Sequence, residues 1–251
     1  MRRNCNGLKA ALPGLALALA ACGQSVAPSD SAAETEQLHL FSTLPIYWGS
    51  GGDVATLLDT AQEKDWVREQ LERSFALTPL DALEPENLAN VDRLLLAQPR
   101  PLAPSENVAL DEWLRGGGRL LIFADPLLTR HSEFSIGDRR RPQDVVLISP
   151  ILKRWGLELQ FDETQPVGER WVDTYDGEFP VNLPGQFLQV EASAPSQCTV
   201  SEGGLLAQCE VGEGCVTLLA DAAILDWEGE GDLPLRRRAA LDELVAAALD
   251  F

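Results

Sequence analysis

The strongest constraint on the fold is a segment in which two short apolar runs flank an amphipathic stretch, "NVDRLLLAQPRPLAPSENVALDEWLRGGGRLLIFADP". Residues 94–97 and 120–124 are continuously apolar, which is typical of strands that are buried on both faces. Between them, Pro104 and Ser105 mark the start of a helix and the glycines at 116–118 mark its end. Buried strands separated by a helix predict a parallel sheet with a right-handed crossover connection.

The rest of the chain continues this alternation of strands and helices. Apolar residues at helical spacing predict a helix over 65–75 and a closing helix over 235–249. Residues 165–210 differ, because they are aromatic, contain prolines and are broken into short β segments. These features predict the α/β class, with a mostly parallel sheet covered by helices on both faces and a β-rich insertion near residues 165–210. Further predicted elements are strands at 38–41, 77–80, 157–161 and 215–221 and a helix over 142–156.

The amino terminus has the features of an export and anchoring segment. Arg2 and Arg3 form a basic start, and residues 10–21 form an apolar run that is too short to span a bilayer. The letters LAAC at 19–22 match the lipobox of bacterial lipoproteins, in which cleavage leaves the cysteine as the lipid-bearing first residue. The alternative is a secretory signal that carries a cysteine here by coincidence. We therefore predict that Cys22 is lipidated and that its lipid holds the protein on a membrane.

This start divides the chain into three predicted parts. Residues 1–21 form the signal peptide, residues 22–36 form a small, polar and acidic tether, and residues 37–251 form a single α/β domain. Export places the domain in the cell envelope, facing the periplasm. Gly23 stands where an acidic residue is associated with inner-membrane retention in some bacteria, so the outer membrane is favoured over the inner one.

The charge balance excludes one class of partner. The chain has 39 acidic and 20 basic residues, which give a formal net charge of -19 at pH 7. This charge repels a nucleic-acid backbone, so nucleic acid is not expected as a partner. The sequence contains neither a zinc-ligand spacing nor a nucleotide-binding glycine motif, so we predict neither a metal nor a cofactor.

Three cysteines lie in the predicted domain, Cys198, Cys209 and Cys215. The segment "QCTVSEGGLLAQCE" has the pattern of a hairpin that turns at Gly203 and Gly204, which places Cys198 directly opposite Cys209. An exported protein meets an oxidising compartment, so we favour a disulfide between Cys198 and Cys209, with Cys215 buried as a small apolar residue. A bridge between Cys209 and Cys215, or three unpaired thiols, are the alternatives.

Polar residues directly follow the predicted buried strands, where open α/β sheets bind their ligands. Asp125 and Asp221 each end such a strand, and His131 follows on the same loop as Asp125. The two aspartates could form an acid/base pair with His131 as a third catalytic member, or they could accept hydrogen bonds from a polar ligand. The alternative, which we favour, is that each aspartate caps backbone amides of its own loop.

The same loops carry other candidate ligand-binding groups. Trp48, next to Tyr47, could form an aromatic wall for a ligand or plug the end of the sheet. Arginines grip carboxylates and phosphates in bidentate fashion, but in an acidic chain they pair equally well with neighbouring carboxylates. The predicted ligand-binding set is Trp48, Arg100, Asp125, Arg130, Arg139, Arg140 and Asp221.

Two of these segments resemble a known family. The stretch from Val91 to Pro126 resembles a segment in the auxiliary components of gliding-motility-type ABC transport systems, with the pattern "P...L...E..ALD..L..GG.LL...DP". "GEGCVTLLADAAIL" is similar to a later strand of the same group, a relative of the intraflagellar-transport-like domain. The resemblance implies a class I glutamine-amidotransferase-like fold, which is a flavodoxin-like parallel sheet. It brings no catalytic residues, because no cysteine here lies in a sharp strand-to-helix turn with a histidine partner.

These observations predict a binding or accessory protein of the cell envelope rather than an enzyme. Its expected association is with an ABC-type transport or envelope-assembly system, and its expected partners are membrane transport or envelope proteins. The rival is a degenerate or unrecognised hydrolase that acts on glycan or peptide through Asp125, His131 and Asp221. A third possibility is a structural lipoprotein whose crevice is filled by its own aromatic side chains.

Overall fold

The centre of the fold is a seven-stranded, mostly parallel sheet. A computed structural model describes residues 35–49, 64–174, 177–227 and 233–249. The predicted signal peptide, the proposed lipid site at Cys22 and residues 22–34 of the predicted tether lie outside the described residues. The strands are β1 (Glu36–Ser42), β2 (Phe75–Pro79), β3 (Arg93–Ala97), β4 (Arg119–Phe123), β5 (Leu157–Phe161), β6 (Arg170–Thr174), β7 (Gly177–Val181), β8 (Gly185–Gln189), β9 (Gln197–Val200), β10 (Leu206–Val211) and β11 (Gly214–Leu219).

The strand order of the central sheet is β2-β1-β3-β4-β11-β10-β9. The first five strands in that order pair in parallel, and β10 and β9 extend the sheet with antiparallel pairings. Every residue of β3, β4 and β11 is buried, which is why these segments are apolar without the alternation of a strand that faces water on one side. The predicted α/β class with a mostly parallel sheet is therefore confirmed.

Five α-helices accompany the sheet in the described ranges. The long closing helix contacts β4, β7 and β11. The helix that follows β3 begins at Pro104, where the Glu106 carboxylate accepts the backbone N–H of Ala103 at 2.8 Å, and it ends at Gly116 as predicted. In these ranges no helix combines the length and apolarity that a membrane crossing requires. The helices are α1 (Trp66–Leu71), α2 (Pro85–Leu88), α3 (Pro104–Arg115), α4 (Ser149–Trp155) and α5 (Leu235–Leu249).

Two predicted helices are shorter than their apolar pattern indicated. The prediction of a helix over 142–156 is wrong for its first half, because α4 begins only at Ser149. The backbone before it is committed to other contacts, such as the hydrogen bond from the Val146 N–H to the Asp125 carbonyl at 3.1 Å. The helix predicted over 65–75 ends at Leu71, because Phe75 already pairs with Glu36 as the first residue of β2.

The strands of the predicted β-rich insertion belong partly to small separate sheets and partly to the central sheet. β5 pairs with β8 and β6 pairs with β7 in two small antiparallel sheets, but β9 and β10 belong to the central sheet. The hairpin between β9 and β10 has a five-residue connection in which Gly203 and Gly204 take positive φ angles of 78° and 76°. Cys198 and Cys209 lie directly opposite each other in this hairpin and are joined by a disulfide bond. Cys215 is buried.

Candidate functional site at the carboxyl ends of the strands

Four parallel strands of the sheet end side by side. Ser42 of β1 pairs with Ala97 of β3, and Ala97 pairs with Phe123 of β4, which in turn pairs with Leu219 of β11. The residues that follow these positions must therefore lie side by side at the carboxyl ends of the strands. They include Thr43, Gln98, Asp125 and Asp221.

Asp125 is almost completely buried, with 1% of its surface exposed. Its Oδ1 accepts the backbone N–H of Leu127 at 2.8 Å, and its Oδ2 accepts the N–H of Ala222 at 3.3 Å. The first bond caps its own loop, and the second ties that loop to the segment after β11. Burial raises the pKa of the Asp125 carboxyl to about 6.

Asp221 is fully buried and is held in the same way. Its Oδ1 accepts the N–H of Ala223 at 2.5 Å, and its Oδ2 accepts the N–H of Asn182, in the connection between β7 and β8, at 2.9 Å. Burial, and then the nearby charge of Asp125, raise the pKa of the Asp221 carboxyl well above its ordinary value. The structure thus brings the two predicted aspartates together, with every carboxylate oxygen accepting a backbone amide.

Gln98 is a member of this site that we did not predict. It is fully buried and adopts a φ angle of 47°, in the left-handed region that non-glycine residues rarely occupy. Its side-chain oxygen accepts the Asp125 N–H at 2.9 Å, and its side-chain nitrogen donates to the carbonyl oxygens of Asp125 at 3.0 Å and Gln143 at 2.8 Å. A polar residue directly after an apolar strand was the sequence signal, since parallel strand ends lie beside each other.

The end of β1 is joined to the same network through a hydroxyl group. Thr43 Oγ1 donates to the Gln98 carbonyl and accepts the N–H of Gln143 at 3.1 Å. The side chains that follow β1, β3 and β4 therefore fold the loop at 125–148 back over the ends of its neighbouring strands. The network orders backbone segments and presents no free polar group of Asp125 or Asp221 to an outside molecule.

Arg130 joins three separate segments by ion pairs. Its guanidinium lies 3.9 Å from an oxygen of Asp65, at the start of α1, and 3.6 Å from an oxygen of Asp226, beyond β11. Burial raises the pKa of Asp65, whose Oδ1 also caps α1 by accepting the Val67 N–H at 2.9 Å. We predicted neither aspartate as a partner, because nothing in the local sequence connects them to residue 130.

Arg100 is bound by a glutamate of the helix that follows it. Its two terminal nitrogens each lie 2.8 Å from an oxygen of Glu106, and its guanidinium lies 5.0 Å from the centre of the Phe41 ring. Hydrogen bonds from Arg100, and then from the amides of Ala103 and Leu83, hold the pKa of Glu106 at about 2. This pair closes the loop between β3 and α3.

The loop at 125–148 contains the predicted arginine cluster and His131. Arg140 forms a bidentate pair with Asp138, at 3.0 and 2.7 Å, and lies 4.4 Å from the centre of the Phe134 ring. Arg139 and His131 are exposed, so the structure does not bring His131 into the buried network of the two aspartates.

Large apolar side chains are exposed on the loops around this end of the sheet. Trp48 is 64% exposed and packs edge-on against Tyr47 at 4.9 Å, and Ile136 is 89% exposed. Single exposed apolar residues are ordinary on protein surfaces. We call this set the apolar rim; it consists of Trp48, Leu127, Ile136, Val145 and Leu147.

A cavity of about 1830 Å³ lies at the opposite end of the sheet. Its lining includes Asp92 and Arg119, at the amino ends of β3 and β4, and Gly214, at the start of β11. The carboxylates of Glu112 and Glu213 also line it. This cavity and the predicted polar residues are therefore at different ends of the same sheet.

Several solved structures are similar to this chain at low sequence identity. The mmIFT52 N-terminal domain is 13% identical, with 83% of this chain and 95% of that domain covered and a TM-score of 0.49. Cytoplasmic Protein STM1381 from Salmonella typhimurium LT2 is 13% identical, with 85% and 99% covered and a TM-score of 0.47. An exo-β-1,4-mannosidase from Opitutaceae bacterium strain TAV5 is 15% identical, with 86% of this chain covered and a TM-score of 0.43, but the chain spans only 34% of that enzyme.

A family match covers the middle of the sequence. No curated protein matches the chain. The family described as "ABC-type uncharacterized transport system" matches residues 49–169, a range that contains β3, α3, β4 and Asp125. Over these residues, slightly less than half of the chain, the match supports the predicted resemblance to auxiliary components of ABC-type transport systems.

Proposed function

We propose that the chain is a lipid-anchored accessory protein of the cell envelope that serves an ABC-type transport or assembly system. It recognises a partner protein of that system at the carboxyl ends of the strands, through the apolar rim and the exposed arginines beside it. The family match at residues 49–169 supports the transport association. The apolar rim supports recognition of a protein surface, since exposed aromatic and aliphatic side chains are typical anchors of protein interfaces.

The proposed anchor and domain division follow from the amino-terminal sequence. Residues 1–21 act as the signal peptide, Cys22 carries the lipid, and residues 22–36 form the tether of a single domain over 37–251. The domain faces the periplasm, and Gly23 favours the outer membrane. We further propose that helices cover both faces of the sheet, as in a flavodoxin-like fold, because β3, β4 and β11 have no exposed residue.

The observation that carries the proposal is that, at the carboxyl ends of the strands, the buried side chains hold the loops and other side chains on those loops are exposed. All four carboxylate oxygens of Asp125 and Asp221 accept backbone amides, so these side chains order the loops. The ordered loops leave Trp48 and Ile136 exposed to a partner. Recognition by preformed loops on a rigid sheet is a common way to build a binding surface.

A hydrolase is the second candidate, because the two aspartates are buried together and the pKa of each is raised. Their oxygens are fully engaged, however, and His131 is exposed on the loop rather than beside them. Incubation of the purified chain with peptidoglycan or a denatured protein substrate tests this candidate. We expect no product; product formed by the wild type and lost in an Asp125→Asn variant would establish the hydrolase instead.

Photo-crosslinking in cells tests partner recognition. A crosslinking amino acid placed at Trp48 or Ile136 is expected to form an adduct with a subunit of an ABC-type transport system, identified by mass spectrometry. The matched control positions are Val108 on α3 and Leu188 on β8, which are exposed apolar residues away from the rim. Equal adducts at the control positions, or none at the rim, would contradict recognition at this end of the sheet.

The anchor has a separate test. Metabolic labelling with a fatty acid is expected to label the wild type, and a Cys22→Ser variant is expected to lose both the label and membrane association. A Cys5→Ser variant is the matched control and keeps both. Loss of label in the control, or labelling of the Cys22→Ser variant, would place the lipid elsewhere.

A further inference from the structure

The two buried aspartates follow neighbouring parallel strands at the same distance from the strand ends. Phe123 pairs with Leu219, and Asp125 and Asp221 each stand two residues beyond that pair. The Ala222 amide, which directly follows Asp221, is bound to the Asp125 carboxylate. The structure therefore confines two acidic groups within one water-excluded space, by a geometry that the pairing of the strands fixes.

The amides that these carboxylates hold come from three separate segments. Leu127 belongs to the loop after β4, Asn182 belongs to the connection between β7 and β8, and Ala222 and Ala223 follow β11. The pair is the point at which these segments are tied together. Any change in the charge of the pair therefore acts on all three at once.

We propose that Asp125 and Asp221 form a proton-dependent latch, which keeps the carboxyl-end loops closed while the two carboxyl groups share one proton and loosens them when both ionise. This inference rests on the proposed function, because it assigns a regulation to the same partner-binding surface. It predicts that the arrangement of the apolar rim responds to the pH around the protein. The proton that is released on opening goes to bulk water, and no other reactant is needed.

The charges that face the pair do not neutralise it. Arg170 of β6 is the cation whose charge acts on Asp221, and it lowers the pKa of that carboxyl less than burial and Asp125 raise it. Arg237 of α5 donates instead to the carbonyl oxygens of Ala223 and Asp226 and pairs with Glu169. Gln98 and Asn182 are uncharged, and Arg130 forms its ion pairs with Asp65 and Asp226.

The direction of the pH response follows from these surroundings. In the closed state the pKa of Asp125 is raised to about 6 and that of Asp221 is raised well above its ordinary value, whereas in an open, hydrated state both return toward about 4. A raised pKa in the closed state means that closure is favoured at low pH and is lost as the pH rises through the closed-state values. The opening equilibrium then rises by up to about tenfold per pH unit for each proton released.

Hydrogen exchange on the full chain tests the latch without any partner. Exchange is followed by mass spectrometry in peptides that contain Leu127, Asn182 and Ala222, from about pH 5.5 to about pH 8, after division by the intrinsic rates. We expect protection in all three peptides to fall together with rising pH. An Asp221→Asn variant, in which Asp125 alone can titrate, is expected to give a shallower profile than the wild type, and an Asp138→Asn variant on the exposed loop keeps the wild-type profile.

Difference infrared spectroscopy of the wild type provides a second measurement, in case the Asp221→Asn variant does not fold. A protonated carboxyl band that disappears near neutral pH supports the latch; absence of that band above about pH 5 overturns it, as does pH-independent protection or an unchanged profile in Asp221→Asn. Failure of these tests leaves the crosslinking result at Trp48 and Ile136 intact. If the exchange and infrared tests support the latch but no crosslinks form at the rim, only the proposed partner surface is refuted.

Discussion

The two ends of the central sheet differ in the solvent exposure of the polar side chains named here. At the carboxyl ends, Gln98, Asp125 and Asp221 are buried and bonded to the loops above them. At the amino ends, the cavity of about 1830 Å³ is lined by carboxylates such as those of Glu112 and Glu213, which face water. The named polar side chains at the carboxyl ends are therefore buried beneath loops, whereas these two glutamates at the amino ends are exposed to solvent.

The surface cavity and the cluster of buried, hydrogen-bonded polar side chains therefore lie at different ends of the sheet. The connections at the amino end are short, and the turn before β11 lies against the backbone at the end of α3, so glycine is needed there. The loops at the carboxyl end are long, and buried side chains hold them in place. Substitutions at the amino end should therefore act through backbone packing, and those at the carboxyl end through lost hydrogen bonds.

The largest effect is expected for Gly214→Ala at the amino end. An added Cβ would lie 1.9 Å from the Leu114 carbonyl oxygen, and neither backbone can move without disturbing β11 or α3. We expect a loss of stability of about 3 kcal/mol or more in chemical denaturation. Gly137→Ala is the control, because its Cβ meets nothing within 4 Å and only its positive φ of 89° opposes the change. An equal loss in both variants would contradict the packing argument.

At the carboxyl end, Gln98→Ala removes three buried hydrogen bonds and leaves the Asp125 amide without its acceptor. The expected loss is about 3 kcal/mol, at about 1 kcal/mol for each bond. Gln98→Gly loses the same bonds but relieves the left-handed backbone, so its loss should be smaller by about 1 kcal/mol. Equal denaturation midpoints for the two variants would show that residue 98 is not strained.

The carboxyl end of the sheet also shows which features can be predicted from the sequence alone. The parallel order of β3 and β4, the helix between them and the alignment of Asp125 with Asp221 could be predicted, because apolar runs and glycine stops are local signals. The place of Gln98 at a strand end could also be inferred, but its role could not, since that role depends on Thr43 and Gln143, which are distant in sequence. The helix predicted from 142 failed for the same reason: tertiary contacts of the loop outweigh its helical spacing.

The disulfide between Cys198 and Cys209 ties the edge strand β9 to the sheet beside the open cavity. Replacing both cysteines by alanine is expected to cost about 2 to 3 kcal/mol, the loop-closure entropy for a sequence separation of 11. Denaturation of the wild type in a thiol reductant should give the same loss. Unchanged stability in both experiments would show that strand pairing alone holds this edge.

Arg100→Ala leaves the buried Glu106 without its cation and is expected to cost roughly 1.5 kcal/mol, since Arg100 itself is partly exposed. The lowered pKa of Glu106, about 2, contributes stability that is present above about pH 4.5 and is lost as the pH falls toward 2. The variant should therefore lose less stability than the wild type over that range. Arg100→Lys tests geometry, because it keeps the charge without the bidentate contact.

The smallest effect on stability is expected for the double variant Arg139→Ala, Arg140→Ala on the exposed loop. Arg140 holds the pKa of Asp138 at about 2, but both groups are in water, so the denaturation midpoint should not change measurably. The yield of the crosslink at Ile136 should fall a few-fold, since exposed charges at the edge of an interface mainly affect association rates. Arg139→Ala alone should account for most of that fall, because the Arg140 guanidinium is already bound to Asp138. An unchanged yield in the double variant would remove the arginines from the partner surface and leave only its apolar side chains.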